Sequence, residues 1–193
     1  MKYVLSRFNH NIDWLSNYTT DFVIYDRSDT PLKNSIIVPN IGSDIYDKFT
    51  YIIDNYDNLP EIAVYTKANL FKYITPQEFD LVKDNKVFTP LLTQNHKTYM
   101  PVCYYQEGMY HEINNYFYLG VHPARYANEI KYIFQMEKRT YNAFAPGSNY
   151  IVPKKNILKH PLSLYNKLRS YLEWDRYPGD AQLMERNLYY LWK

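Results

Sequence analysis

Polar side chains follow the apolar runs of the N-terminal part of the chain, at the points where short strands should end. In a parallel sheet the carboxyl ends of the strands meet at one edge, and ligands of α/β proteins bind in the crevice outside that edge. The sequence therefore predicts a ligand site there. Eight residues are expected to contact the ligand: Ser6, Arg7, Asn9, Asp26, Asn40, Gly42, Lys67 and Asn69.

Lys67 and Arg7 indicate the chemistry of that ligand. An ammonium neutralises phosphate as a point charge, whereas a guanidinium binds a diphosphate or carboxylate through paired hydrogen bonds. A lysine in this position can replace the work of a metal, so we expect diphosphate binding that is independent of metal. Each residue has an alternative: Lys67 as a solvated loop lysine, Arg7 in a surface ion pair with Asp13 or a neighbour, and Asp26 in local turn hydrogen bonds.

Glu185 is the candidate general base. It interrupts an apolar pattern that continues to Trp192 near the end of the chain. A carboxylate beside an apolar face can have its pKa raised toward the range in which it accepts a proton from a substrate hydroxyl. The alternatives are an ion pair with Arg186 and a role at the start of a helix.

Several common functional signatures are absent from the sequence. It contains no GxxxxGK[ST], GxGxxG, GxSxG or HExxH motif. Five potential metal ligands follow one another in the middle of the chain, namely His96, Cys103, His111, Glu112 and His122. Their spacing matches no standard zinc pattern. We therefore expect no metal site and no cofactor.

The elements that would position these residues alternate between strand and helix patterns. Four apolar strand segments precede residue 70, and Ser43 or Asp44 should begin a helix whose apolar residues recur at helical spacing. This alternation predicts an α/β fold with a mostly parallel, Rossmann-like sheet flanked by helices. At least three parallel strands are expected in 1–69, short antiparallel strands in 87–118, and helices over 161–174 and 181–192.

Composition places further limits on the protein. A length of 193 residues with 46% hydrophobic content suits one domain, 1–193. Residues 1–96 contain nine basic and twelve acidic side chains, and 97–193 contain thirteen and eight. The lone Cys103 and the lack of an apolar run long enough to cross a bilayer predict a cytoplasmic protein.

Six stretches in order resemble one known family. They are VLSRFN (4–9) followed by Trp14-Leu15, NIG (40–42), YIIDNYDNLP (51–60), PGSNYIV (146–152), Glu185-Arg186, and the terminal Leu191-Trp192. This order resembles the family called domain of unknown function 3431. The helix-proline-strand segment at 51–65 is its most specific part, and 87–141 is poorly covered. The tips at 26–28 and 66–69 depart from the family pattern.

The layout of that family is similar to a compact GT-A glycosyltransferase. The resemblance implies that strand-end loops bind a nucleotide and that a late glycine-containing strand lines the acceptor site. It divides the domain into a nucleotide-binding half (1–70) and an acceptor half (71–193). It places Gly147, Ser148, Asn149 and Arg186 in acceptor binding, with Glu185 as the base. Some GT-A enzymes lack the Asp-x-Asp motif and bind the diphosphate with basic side chains, and by analogy Lys67 takes that place.

The sequence therefore predicts an enzyme that transfers a sugar from a nucleotide-sugar donor to a hydroxyl acceptor. One alternative is a non-catalytic module that binds a nucleotide or glycan. Another is a viral-type glycosyltransferase acting on hydroxylated DNA bases, which the basic second half permits without demanding nucleic acid as a partner. The donor, the acceptor, the stereochemical outcome and the oligomeric state stay open.

Overall fold

The computed structural model describes residues 1–93, 98, 100–114 and 122–193. Its strands are β1 (Lys2–Arg7), β2 (Phe22–Asp26), β3 (Ile36–Ile37), β4 (Ile62–Lys67), β5 (Thr89–Pro90), β6 (Cys103–Gln106), β7 (Met109–Ile113), β8 (Tyr141–Phe144) and β9 (Tyr150–Pro153). Six strands form one sheet in the order β3-β2-β1-β4-β9-β5, and β6-β7-β8 form a second. His96 lies outside the described residues.

The first four strands, β1 to β4, run parallel to one another. This confirms the expectation of at least three parallel strands in 1–69. The sheet as a whole is mixed, because β9 runs antiparallel to β4, and β5 runs antiparallel to β9. The turn before β9 lies at the carboxyl edge beside Lys67, so this strand must run back through the sheet. The fold is therefore mixed α/β with a mostly parallel main sheet.

The main sheet is buried on both faces, which explains why its strands are continuous apolar runs. Alternate residues belong to different clusters of the core: Val4 and Tyr65 to one, and Leu5 and Val64 to the other. The first cluster contains the apolar faces of the α-helix after β3 and of the C-terminal helices. The second contains Leu15 and the short helical segments on the opposite face.

The α-helices flank this sheet, and the last four of them form the C-terminal part of the chain. They are α1 (Ser43–Asp54), α2 (Pro76–Val82), α3 (Ala127–Ile133), α4 (Lys154–Ile157), α5 (Leu162–Ser170), α6 (Gly179–Glu185) and α7 (Leu188–Trp192). Four 3-10 helices cover Asp13–Asn17, Tyr56–Asn58, Leu70–Lys72 and Met136–Lys138. Among the described residues, none of the helices has the length and apolar character needed to cross a membrane.

The single helix expected over 181–192 is two helices, α6 and α7, with a break at Asn187. The Asn187 side chain donates to the carbonyl of Leu183 at 2.7 Å and accepts from Arg139 at 2.7 Å. Because this amide competes for helical backbone partners, it favours a break in the helix.

The start of α1 also differs from the prediction. Gly42, with φ of +65°, precedes the helix, and neither Ser43 nor Asp44 caps it. A Cβ on Gly42 would lie 2.7 Å from the Cβ of Tyr46, so the position requires glycine. Asp44 therefore lies within the first turn, where its side chain is buried. By contrast, the capping box predicted from Thr75 and Glu78 at the start of α2 is confirmed.

The short antiparallel strands expected in 87–118 are present in part. β6 and β7 form a hairpin, and β8 pairs with β7 on its other side. Glu107 and Gly108 at the hairpin turn both have positive φ, as tight hairpin turns require. This second sheet lies against α6 through an ion pair between Glu112 of β7 and Arg186.

Candidate active site

A cavity opens where the strand order of the main sheet reverses. The chain passes from β1 to β2 and β3 on one side, and then crosses through α1 to β4 on the other side. Such a switch point leaves a crevice at the carboxyl ends of the two strands. The cavity there has a volume of about 190 Å³. Five of the eight predicted ligand residues line it: Ser6, Arg7, Asn40, Lys67 and Asn69.

Three basic side chains on the cavity wall are each held by a carboxylate. Arg7 binds Asp26 at 2.7 Å, Lys67 binds Asp44 at 3.0 Å, and Arg27 binds Asp47. Asp26 and Asp47 have no exposed surface. The carboxylates therefore hold the cations in place from the protein interior, and the remaining N–H groups can serve a ligand.

Asp26 supports the wall of the cavity instead of lining it. Its carboxylate accepts from the backbone N–H groups of Ser28 and Leu32, both at 3.0 Å, in addition to Arg7. Burial alone would raise its pKa, but the hydrogen bonds from Ser28, Leu32 and Arg7 outweigh burial and lower it. The structure thus gives Asp26 the turn hydrogen bonding that was its alternative role, and its contact with a donor stays a prediction.

Two other predicted donor residues also lie off the wall. Asn9 has φ of +56°, and its side chain donates to Asp29 at 3.1 Å on the surface. Gly42 donates its N–H to the carbonyl of Asp175 at 2.8 Å, and a Cβ added to Gly42 would lie 2.8 Å from the Cβ of Leu172. Both residues shape the loops around the cavity.

Asp44 is the centre of a buried polar network. One of its oxygens bonds to the ammonium of Lys48 and the hydroxyl of Ser148, and these two groups lie 3.2 Å apart. Burial alone would raise the pKa of Asp44, but the charges of Lys48 and Lys67 hold it well below its usual range. Lys48 has no exposed surface, and burial lowers its pKa against the attraction of Asp44.

Lys67 connects this network to the cavity. Its ammonium lies 5.5 Å from the centre of the Tyr73 ring, and its side chain is 23% exposed. Burial acts to lower its pKa, but the carboxylates of Asp44 and Glu185 outweigh burial and raise it. Lys67 therefore carries a positive charge at neutral pH. Its backbone N–H donates to the side chain of Asn149 at 2.9 Å.

Asp47 forms the other buried pair of α1. Burial raises its pKa to about 6, although the adjacent Arg27 guanidinium acts to lower it. Arg27 also donates to the carbonyl of Ile41 at 2.8 Å, which fixes the guanidinium at the cavity wall. Asp47 therefore differs from Asp26 and Asp44, whose pKa values are lowered.

Glu185 lies close to Lys67 but is not on the cavity wall. Its carboxylate accepts from the N–H of Gly147 at 2.7 Å and from Arg186 at 3.2 Å. Its side chain is 15% exposed, and its charge contributes to the raised pKa of Lys67. The end of α6 thus brings the predicted base to the same edge of the sheet as the predicted phosphate contact.

The four residues predicted to contact the acceptor are buried. Ser148 and Asn149 have no exposed surface and hold Asp44 and Lys67 in place. Arg186 binds Glu112 at 2.8 and 3.2 Å. Gly147 has φ of +88°, and a Cβ there would lie 2.6 Å from the Tyr73 ring. In this structure they position other residues of the site instead of lining its cavity.

An aromatic and basic cluster stands beside the mouth of the cavity. The Arg176 guanidinium lies 4.6 Å from the centre of the Phe8 ring and 4.9 Å from that of Tyr177. With the Asn40 amide oxygen facing it, Arg176 donates to that oxygen at 3.0 Å from Nε and 3.2 Å from Nη2. Phe8, Asn40 and Tyr177 line the cavity, so Arg176 lies at its rim.

The potential metal ligands do not assemble within the part of the chain that the structure describes. No three His, Cys, Asp or Glu side chains come together there in a group that could hold a metal ion. Cys103 is buried, and the His111 ring stacks on Tyr104 with the centres 5.1 Å apart.

The model of one protein family matches almost the whole chain. The family is described as a protein of unknown function, domain of unknown function 3431, and the match covers residues 4–193. The chain belongs to this family. The resemblance found in the sequence is thereby confirmed, and the family description assigns no activity. No curated protein and no solved structure matches the chain.

In this member of the domain of unknown function 3431 family, sequence reasoning missed a charged face of α1. Asp44, Asp47 and Lys48 fall at i, i+3 and i+4, so they share one side of the helix. All three are buried and approach the cavity residues Arg27 and Lys67. The spacing was a readable signal, but charges at this spacing more commonly form a solvated face.

Proposed function

We propose that this protein transfers a sugar from a nucleotide-sugar donor to a hydroxyl acceptor, with the cavity between β1 and β4 as its donor site. The observation that carries the proposal is the set of basic side chains on the wall of a switch-point cavity: Arg7, Arg27 and Lys67. Preorganised cations at such a position suit a diphosphate, whose negative charge increases as the sugar–phosphate bond breaks.

The proposed reaction assigns a role to each charged group. The acceptor oxygen attacks the anomeric carbon of the sugar, and the bond from that carbon to the diphosphate oxygen breaks. The hydroxyl proton passes to Glu185, and the diphosphate leaves with the bonding electron pair. Lys67 is already protonated and held by Asp44, so it can stabilise this charge without reorganising.

Replacement of Lys67 by Ala tests the phosphate contact. Affinity for nucleoside diphosphates should fall by roughly tenfold or more, because a hydrogen bond to a charged group is lost, and affinity for nucleosides should change little. Lys72→Ala is the matched control, because Lys72 lies 6.0 Å from the same Tyr73 ring but is exposed and off the cavity wall. Equal losses in both variants would count against the assignment.

Replacement of Glu185 by Gln tests the base. The amide keeps the shape of the side chain and its acceptor oxygen for Gly147, but it cannot take a proton. Sugar transfer should fall by roughly a hundredfold or more while nucleotide binding persists. If the folded variant transfers sugar at the wild-type rate, Glu185 is structural, and Asp175 and Asp180 are the next acids to test.

A non-catalytic nucleotide or glycan binding module is the second candidate, and the surroundings of Glu185 favour it. Gly147 and Arg186 both donate to this carboxylate, so groups of the protein already occupy its oxygens, and Glu185 does not line the cavity. Turnover separates the two candidates. A binding module would hold a nucleotide sugar unchanged, whereas the enzyme would release the nucleoside diphosphate when a hydroxyl acceptor is present.

A further inference from the structure

Arg176 differs from the other basic side chains around the cavity. Arg7, Arg27 and Lys67 each have a carboxylate within ion-pair distance. Across residues 1–93, 98, 100–114 and 122–193, no carboxylate lies at that distance from Arg176. Asp26 balances the charge of Arg7, and Asp47 that of Arg27, whereas Lys67 shares Asp44 with the buried Lys48. Within the described residues, the positive charge of Arg176 is therefore the one at the rim that a ligand would meet without a paired carboxylate.

The guanidinium of Arg176 is nevertheless held in place. Two aromatic rings contact it, and the Asn40 amide oxygen accepts from Nε and Nη2. The opposite edge, Nη1 with the second hydrogen of Nη2, keeps N–H donors of the type that match phosphate oxygens. Because the side chain is already ordered, binding an anion there costs less conformational entropy than ordering a free arginine would.

From this geometry we infer that Arg176 binds a phosphoryl group of the ligand at the mouth of the cavity. The nucleotide identity of that ligand rests on the proposed function, but the phosphate chemistry does not. The rim contact would act beside Lys67, so that one ligand with two phosphoryl groups meets a fixed guanidinium at the rim and an ammonium on the wall. A guanidinium in this setting is not interchangeable with a lysine.

Calorimetric titration of the full chain with inorganic pyrophosphate tests the inference. Arg176→Ala should weaken pyrophosphate binding by at least about tenfold, and Arg176→Lys should recover only part of the loss because it keeps the charge without the planar fork. Arg125→Ala is the matched control, because Arg125 is also exposed and stacks on a ring, that of Trp174 at 4.3 Å, away from the cavity. Arg125→Ala should bind as the wild type does.

Three results would overturn the inference: no pyrophosphate binding by the wild type, unchanged binding by Arg176→Ala, or an equal loss in Arg125→Ala. These are distinct from failure of the proposed function. If pyrophosphate binding depends on Arg176 while nucleotide sugars are neither bound nor turned over, the phosphate contact stands and the glycosyltransferase proposal falls. If Arg176→Ala turns over nucleotide sugars as well as the wild type does, the glycosyltransferase proposal stands and the phosphate contact of Arg176 falls.

Discussion

Replacement of Lys48 by Met tests the buried network that holds Lys67 at the cavity. Methionine keeps an unbranched side chain that is one atom shorter, and it removes the charge. In the folded protein Lys48 has no exposed surface and bonds to Asp44 and Ser148. The variant therefore leaves Asp44 buried with one cation fewer, which is the most costly way to break such a pair.

The expected loss of stability depends on the partners that Asp44 retains in the variant. Removing one member of a buried ion pair costs about 3–5 kcal/mol. Asp44 keeps Lys67 at 3.0 Å and the hydroxyl of Ser43 at 2.9 Å, so we expect the lower end, about 3 kcal/mol. For a chain of this length that corresponds to a fall in melting temperature of roughly 6–12 °C.

Urea unfolding followed by circular dichroism gives the free energy of unfolding. Lys83→Met is the matched control, because Lys83 pairs with the exposed Asp84 at 2.6 Å and solvent screens that pair. It should leave stability nearly unchanged. The double variant Asp44→Asn/Lys48→Met should recover part of the loss, since the buried carboxylate is then neutral and only the partly exposed Lys67 loses a partner. A Lys48→Met variant as stable as Lys83→Met would refute the buried ion-pair account.

Three further perturbations test other parts of the site. The raised pKa of Asp47 means that the folded protein binds the proton of this group more tightly than the unfolded chain does. The free energy of unfolding that this group contributes therefore falls as pH rises from about 4 to about 6, by up to about 3 kcal/mol in total. Urea unfolding of Asp47→Asn should lack this dependence on pH. In thermal unfolding, Gly147→Ala should destabilise the protein by clearly more than Gly108→Ala. Both positions have positive φ, but only at Gly147 would the added Cβ collide with a ring, that of Tyr73. Equal effects would mean that the Tyr73 side chain moves aside without cost. Donor binding should persist in excess EDTA, and a loss that manganese restores would show that the site needs a metal.

The fold was predictable where local pattern decides structure. The parallel strands before residue 70, the helix between β3 and β4, and the capping box at Thr75 follow from periodicity and capping chemistry. The direction of β9 was not readable, because an apolar run looks the same in both orientations. The break at Asn187 was missed because it depends on a contact with Arg139, 48 positions away in the chain.

The site was predictable by location and less so by role. The switch-point rule led to Ser6, Arg7 and Lys67, which do line one cavity. The rule could not distinguish residues that line the cavity from residues that support its wall. Asp26, for example, stands at a strand end yet points into the protein. The local sequence favours a helix cap at Asp44. Its buried role cannot be predicted from the sequence, because its partner Ser148 lies 104 positions away and only folding brings the two together.

Binding of nucleoside diphosphates and their sugars to the wild-type protein tests the central claim most directly. A thermal-shift panel across the common bases should find at least one diphosphate that stabilises the folded state, by about 2.7 kcal/mol at one hundred times its dissociation constant. The Lys67→Ala variant should need a higher concentration for the same shift, and Lys72→Ala should not. If no nucleoside diphosphate or nucleotide sugar stabilises the wild type at millimolar concentration, the cavity is not a donor site and the proposed function is wrong.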